Sequence, residues 1–199
     1  MKKTLAVLII LVIVSFLPAL FGAYKWSSNI YALITVATLS EEEDSMYPYD
    51  KQNDSGFLNS KMAQWILMNM DYPYESCSNK LVIIPECGIP PIVWAGRHIT
   101  PNKLENTNKS LILIEYFVQK GLSIDDKHEG MTAVHEAIMF NQAEYLSFLL
   151  TKGADPGIRI ERAGEKYDGM NAYEYHSFLK KNSSRNRDDI DRVLKEHRA

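Results

Sequence analysis

Two strongly apolar segments with helical spacing each end at a glycine. Residues 110–120 are followed by Gly121, and residues 143–152 are followed by Gly153. Glycine is favoured just past a helix end because it adopts a left-handed backbone conformation without strain. A short helix cannot bury its apolar side alone, so each of these helices requires a neighbour. The sequence therefore predicts an all-α protein built from packed helix pairs.

One region combines several features of a known repeat. Residues 130–137 read G-M-T-A-V-H-E-A, and an apolar helix with the closing G-A-D of residues 153–155 follows at the expected spacing. This pattern resembles the ankyrin-repeat opening G-x-T-P-L-H-x-A and its second-helix leucines. The resemblance implies a helix pair whose first helix is capped by Thr132 and whose second helix is stopped by Gly153.

Weaker copies of the same pattern flank this region. One begins at Gly88 and carries a predicted insertion, residues 97–109, between its two helices. Another begins at Gly169, and its second helix is residues 187–197. The last helix is charged except along one side, as expected for a cap with a solvated outer face; its apolar residues are Ile190, Val193 and Leu194.

Two further helices are predicted upstream, at residues 30–39 and 61–70, as a degenerate first repeat. In the second of them, one side is apolar through Met62, Trp65, Ile66 and Met70. With the three downstream copies, the resemblance implies an ankyrin-repeat solenoid of about three to four irregular helix pairs. Such repeats stack so that neighbours bury one continuous core.

The first 24 residues are distinct from the repeats. Lys2 and Lys3 precede an apolar run, residues 5–17, as in a secretory signal peptide. Residues 4–24 are also long enough to span a bilayer as a helix, so a cleaved signal peptide and a retained membrane anchor are both open. In either case the positive flank stays inside. The predicted location is the periplasm or the extracytoplasmic face of the inner membrane.

Three regions follow from these features. Residues 1–24 are a signal peptide or anchor, residues 25–87 an N-terminal cap or degenerate repeat with a long finger loop, and residues 88–199 the repeats with a C-terminal cap helix. Cys77 and Cys87 are the only cysteines, and both lie in the long finger loop. An oxidising compartment lets a disulfide persist. We therefore predict a bond between them, with two separate thiols as the alternative.

The sequence shows no recognisable catalytic, cofactor or metal motif. His135-Glu136 begins the zinc motif H-E-x-x-H, but Met139 occupies the position of its second histidine. His135 is instead interpreted as the structural histidine of the repeat. A net charge of −3 excludes a broad basic surface for nucleic acid. We expect a protein that is not an enzyme and that takes no cofactor, metal or nucleic acid.

The resemblance implies that a partner protein binds the finger side, where the loops and the first helices of successive repeats line one surface. The fingers of this chain are extended, and extended loops often carry function. The predicted partner-binding residues lie in these fingers and are Glu86, Ile89, Lys127, Glu129, Met131, Tyr167, Asp168 and Met170.

Three functions compete at this point, because a fold alone does not establish a function. The first is an exported protein-binding module, in its specific form an immunity protein that neutralises a secreted toxic effector in the bacterial envelope. The second is a scaffold or assembly factor held in the membrane by residues 4–24. The third is an enzyme with an unrecognised site.

Overall fold

The computed structural model describes residues 30–40, 59–69, 88–100 and 103–198. Within these ranges it contains eight α-helices and one isolated β-bridge, between His128 and Met131. The predicted all-α class is confirmed. In the same ranges, no helix combines the length and the apolar character needed to cross a membrane.

The chain divides into two compact units, Met1–Tyr74 and Glu75–Ala199. In the first unit, α1 (Ile30–Ala37) packs against α2 (Ser60–Asn69). Most of α1 is buried, and the Ser60 hydroxyl at the start of α2 donates to the Ala37 carbonyl at 3.2 Å. This bond satisfies a carbonyl that the end of α1 leaves without a helical partner.

The apolar side predicted for α2 is wrong. The buried residues of α2 are Ser60, Ala63 and Leu67, which recur at helical spacing. Met62 and Trp65 are 44% and 61% exposed. The small side chains of Ser60 and Ala63 let α2 approach its neighbour closely, so the large apolar side chains lie off the contact.

The second unit holds three helix pairs. The pairs are α3 with α4, α5 with α6, and α7 with α8, with bounds Pro91–Arg97, Leu104–Gln119, Ala133–Phe140, Ala143–Thr151, Ala172–Asn182 and Asp188–Glu196. The first helices α3, α5 and α7 pack in a row, and α6 also packs against α8. This arrangement is the stacked solenoid that the repeats predict.

The helix α4 begins six residues before its predicted start. Residues 104–109, which the sequence assigns to an insertion, form its first turns. Glu105 lies in the first turn, where a negative charge is favourable. Its carboxylate also pairs with Lys109, one turn later, at 2.7 Å. The insertion between α3 and α4 is therefore shorter than predicted.

The middle pair buries its small and leucine side chains and ends at Gly153. Ala133, Ala137 and Leu149 are fully buried, and Leu150 is 2% exposed. Gly153 has a φ of +91°. The amides of Gly153 and Ala154 donate to the carbonyls of Leu150 and Leu149 at 3.1 and 3.0 Å. This pair of bonds is the Schellman motif that a helix-ending glycine permits. The positive φ of Gly153 is as predicted.

The last helix closes the array. Ile190, Val193 and Leu194 of α8 are buried, and the remaining turns present Asp188, Asp189, Arg192 and Lys195 outward. The predicted apolar side of this helix is confirmed.

Candidate partner-binding surface

The loop before α5, residues 127–131, forms a tight hairpin turn that we call the second finger. His128 and Met131 exchange backbone hydrogen bonds of 2.8 and 3.0 Å. Between them, Glu129 and Gly130 have φ angles of +46° and +76°. Two successive positive φ angles are typical of a type I′ turn, which favours Asn, Asp or Gly at its central positions, so Glu129 is an uncommon residue there.

The lengthened loop before α7, residues 158–170, also forms a hairpin. We call it the third finger, because it precedes the third helix pair. Ile160 donates its amide to the Met170 carbonyl and accepts from the Gly169 amide, both at 2.9 Å. Ile160 is 1% exposed and so anchors the hairpin base in the core. The tip, residues 163–166, is exposed.

The two fingers are joined edge to edge. The Glu161 amide donates to the Gly130 carbonyl at 3.0 Å. A Cβ atom at Gly130 would overlap the Glu161 backbone, so only glycine allows this approach. The Glu161 carboxylate also pairs with Lys127 at 2.6 Å.

Arg162 fastens the third finger to the second. Its Nε donates to the Glu129 carbonyl at 2.6 Å, and its Nη2 pairs with the Glu129 carboxylate. The backbone amide of Arg162 donates to Asp168 Oδ1 at 2.7 Å. Glu129 and Asp168 were predicted as partner contacts, but both also hold the fingers in shape. Substituting either would alter the loop as well as any contact.

Tyr167 of the third finger packs against aromatic side chains of α7. Its ring lies 5.3 Å from that of Tyr175 and 6.3 Å from that of Phe178. Arg162 Nη1 donates to the Tyr167 hydroxyl at 3.4 Å. Burial raises the pKa of Tyr175 to about 12, so this phenol stays neutral. Tyr167 is half-buried.

His135 lies beneath the second finger. The Thr132 backbone amide donates to His135 Nδ1 at 3.3 Å, and the Thr132 hydroxyl lies 2.9 Å from the same nitrogen. Burial, reinforced by the charge of Lys127, lowers the pKa of His135 to about 4. The imidazole is therefore neutral at pH 7 and serves the capping box at the start of α5. No cluster that could hold a metal occurs in the described ranges.

The first helices are also bridged. Arg97 of α3 donates to both carboxylate oxygens of Glu136 on α5, at 2.9 and 2.6 Å. The Glu136 side chain is 7% exposed, whereas that of Arg97 is 30% exposed. This bidentate pair spans two repeats and fixes the spacing of their first helices.

The predicted site residues divide into four groups. Ile89 and Met131 are 6% and 2% exposed, so we correct their assignment from partner contacts to loop anchors in the core. Met170 is half-buried and pairs with Ile160 through its carbonyl. Those with exposed or half-exposed side chains are Lys127, Glu129, Tyr167 and Asp168. Those outside the described residues are Glu86, Cys77 and Cys87, along with the segment 1–24.

Sequence reasoning missed Arg97, Glu136, Glu161 and Arg162. Their partners lie 33 to 39 residues away, and none belongs to a recognisable motif. The available signal was the loop length: residues 158–166 exceed a plain finger, and Gly164 marks a turn within them.

Comparison with known proteins supplies one family. Residues 108–150 match the family model described as "Ankyrin repeats (many copies)". The match covers most of α4, the second finger, α5 and nearly all of α6. No curated protein matches the chain, and no solved structure matches it.

Proposed function

Because this chain is an ankyrin-repeat protein, and such repeats form modules for protein–protein interaction, we propose that it binds its partner through the two joined fingers. The observation that carries the proposal is the attachment of Arg162 to Glu129. A surface that is already ordered loses less conformational freedom when a partner binds. Ankyrin repeats are typically not enzymes, which is consistent with the expectation of a non-catalytic protein.

The segments that lead into the fingers favour a basic partner, because they carry Asp125, Asp126 and Asp155, whereas the fingers themselves carry four acidic and four basic side chains. Residues 122–131 and 154–170 carry seven acidic and four basic side chains. Complementary charge accelerates encounter and selects between partners, and salt screens it. We expect binding to weaken when the ionic strength rises from 50 to 500 mM, values chosen to span the screening range.

We further propose that the partner is a secreted toxic effector and that the chain is an immunity protein in the bacterial envelope. Lys2, Lys3 and the apolar run 5–17 support export. The small size and the binding module suit a protein that occludes an effector. A scaffold held by an uncleaved residue 4–24 helix is the alternative.

The binding proposal is tested with matched charge reversals. Glu165 lies at the exposed tip of the third finger, and Glu144 lies exposed in the first turn of the second helix, α6. The partner is first captured from envelope extract and identified, and its affinity is then measured. We expect Glu165→Lys to weaken binding at least about tenfold, the effect of 1.4 kcal/mol. Glu144→Lys should bind as the unaltered protein does.

The choice of control matters, because the neighbouring Gln142 is not a surface residue. Gln142 is 8% exposed, and its Nε2 donates to the Ile99 carbonyl at 2.7 Å. If Glu144→Lys alone weakened binding, the partner would bind the second helices and the finger proposal would be wrong.

The immunity proposal is tested in cells. Cells lacking this protein should be killed by siblings that secrete the effector, and the full chain should restore survival. A version without residues 1–24 should fold but fail to protect, because it stays in the cytoplasm. Equal survival of cells with and without the protein would contradict the immunity role while leaving the binding proposal intact.

A further inference from the structure

A buried histidine joins the two helices of the last repeat. His176 of α7 is 4% exposed, and its Nε2 lies 3.0 Å from Asp191 Oδ1 of α8. Its other ring nitrogen, Nδ1, is buried and has no hydrogen-bond partner in the described part of the chain. The finger surface does not involve this group.

Asp191 is the centre of a small charged cluster. Its Oδ2 accepts from Lys180 of α7 at 2.9 Å and from Lys195 of α8 at 3.2 Å. The hydrogen bonds from Lys180, Lys195 and His176 hold the pKa of Asp191 well below its usual range. The carboxylate is thus ionised and accepts from His176 Nε2, which leaves Nδ1 without a proton.

Protonating His176 would be unfavourable in this setting. The new proton on Nδ1 would lie in a buried position without an acceptor, which costs free energy. Asp191 favours the charged ring, but it shares its negative charge with two ammonium groups, and the burial of the ring outweighs its effect.

The charged groups that act on His176 are Asp191, Lys180 and Arg187, the last from the loop before α8. Burial lowers the pKa of His176 below its ordinary value of 6.5, Lys180 and Arg187 lower it further, and Asp191 opposes the change.

We propose that His176 is an acid-sensitive latch: the neutral ring holds α8 against α7, and protonation releases α8 from the repeat array. The direction of the pH effect follows from the lowered pKa of His176 in the folded protein. The docked state binds fewer protons than the released state, so docking is strongest above pH 6.5 and weakens as the pH falls below it. Release would expose the apolar side of α8, namely Ile190, Val193 and Leu194.

The test is amide hydrogen exchange of α8 in the full chain, expressed as protection factors to remove the intrinsic effect of pH. Between pH 7.5 and 5.0 we expect α8 protection to fall on the order of tenfold. Each pH unit below the pKa of a solvent-exposed histidine, about 6.5, lowers the protection by a factor of up to ten. Protection in α6, around Leu149, falls with acid through His135, so it should change equally in the unaltered protein and in His176→Gln.

Two variants and one titration make the result decisive. His176→Gln keeps a donor for Asp191 and does not titrate, so its α8 protection should fall less between pH 7.5 and 5.0 than that of the unaltered protein. His197→Gln, at an exposed position, should behave as the unaltered protein does. If His176→Gln does not fold, the ring resonances of His176 in the unaltered protein decide instead. A midpoint at or above pH 6.5, or α8 protection that is constant between pH 7.5 and 5.0, would overturn the latch.

Discussion

Arg187 caps the helix of the preceding repeat: its Nη1 donates to the Ile138 carbonyl at 2.6 Å. Nη2 lies 3.4 Å from the Met139 carbonyl, so the guanidinium contacts the carboxyl end of α5. Cations are favourable at that end of a helix. Arg187 is 4% exposed, and it lies directly before α8. One side chain thus links the cap helix to the middle repeat.

Removing this link should destabilise the array. Arg187→Gln leaves buried carbonyls without their charged donor, and hydrogen bonds to charged groups contribute about 1.5–3 kcal/mol each. We expect a loss of roughly 2 kcal/mol in the free energy of unfolding, measured in urea. Arg185→Gln is the matched control, because Arg185 is exposed. Equal stability of the two variants would show that the buried contact contributes nothing.

A second prediction concerns Gly96, which provides space for Tyr145. The Tyr145 hydroxyl donates to the Ile92 carbonyl at 3.2 Å, and the ring is 2% exposed. A Cβ at Gly96 would overlap that ring. Gly96→Ala should therefore cost about 1–3 kcal/mol of stability, the usual range for overpacking. Denaturation curves measure the loss.

The double variant separates this overlap from a helix effect. Alanine favours a helix over glycine, so Gly96→Ala in a Tyr145→Leu background should cost less than it does alone. Additive effects of the two substitutions would contradict direct contact between the side chains.

A third prediction concerns pH and His135. Its pKa in the folded protein is about 4, below the ordinary 6.5. The folded state binds fewer protons, so stability is greatest above pH 6.5 and falls as the pH drops toward 4. A shift of this size corresponds to roughly 3 kcal/mol.

The measurement compares urea midpoints at pH 7.5 and 4.5 for the unaltered protein and for His135→Gln. The glutamine variant should be less stable at pH 7.5 but should lose less on acidification. Parallel losses in both proteins would assign the acid sensitivity to other groups.

The fourth prediction is the Cys77–Cys87 disulfide, which stays a prediction because both residues lie outside the described ranges. Mass spectrometry of unreduced, alkylated protein from the envelope should show both sulfurs protected. Under the chain-entropy relation, closing so short a loop contributes about 2–3 kcal/mol. Two alkylated thiols would refute the bond and weaken the proposal of export.

The parts of the fold that were predictable depend on local signals. Gly153 and the leucine spacing of α6 predict the middle repeat because helix termination and helix periodicity are properties of adjacent residues. The apolar side of α8 was found for the same reason. The buried side of α2 was predicted wrongly. Ser60 and Ala63 make the contact because their side chains are small, and a hydrophobicity pattern does not detect small size.

The candidate surface was predictable only in outline. The loop lengths place the fingers, and the predicted Lys127, Glu129, Tyr167 and Asp168 do lie on them. Arg162 was missed because its bond to Glu129 joins residues 33 positions apart. Ile89 and Met131 lie in two different loops and were assigned to the surface. Within each short loop the side chains point in turn to the core and to solvent, and the turn geometry decides which does which.

Hydrogen exchange of this protein, alone and saturated with its captured partner, tests the binding surface most directly. Partner binding through the joined fingers predicts slowed exchange in residues 127–131 and 158–170, with α4 and α6 unchanged on their outer sides. Slowed exchange confined to α4 and α6, with both fingers unaffected, would contradict it.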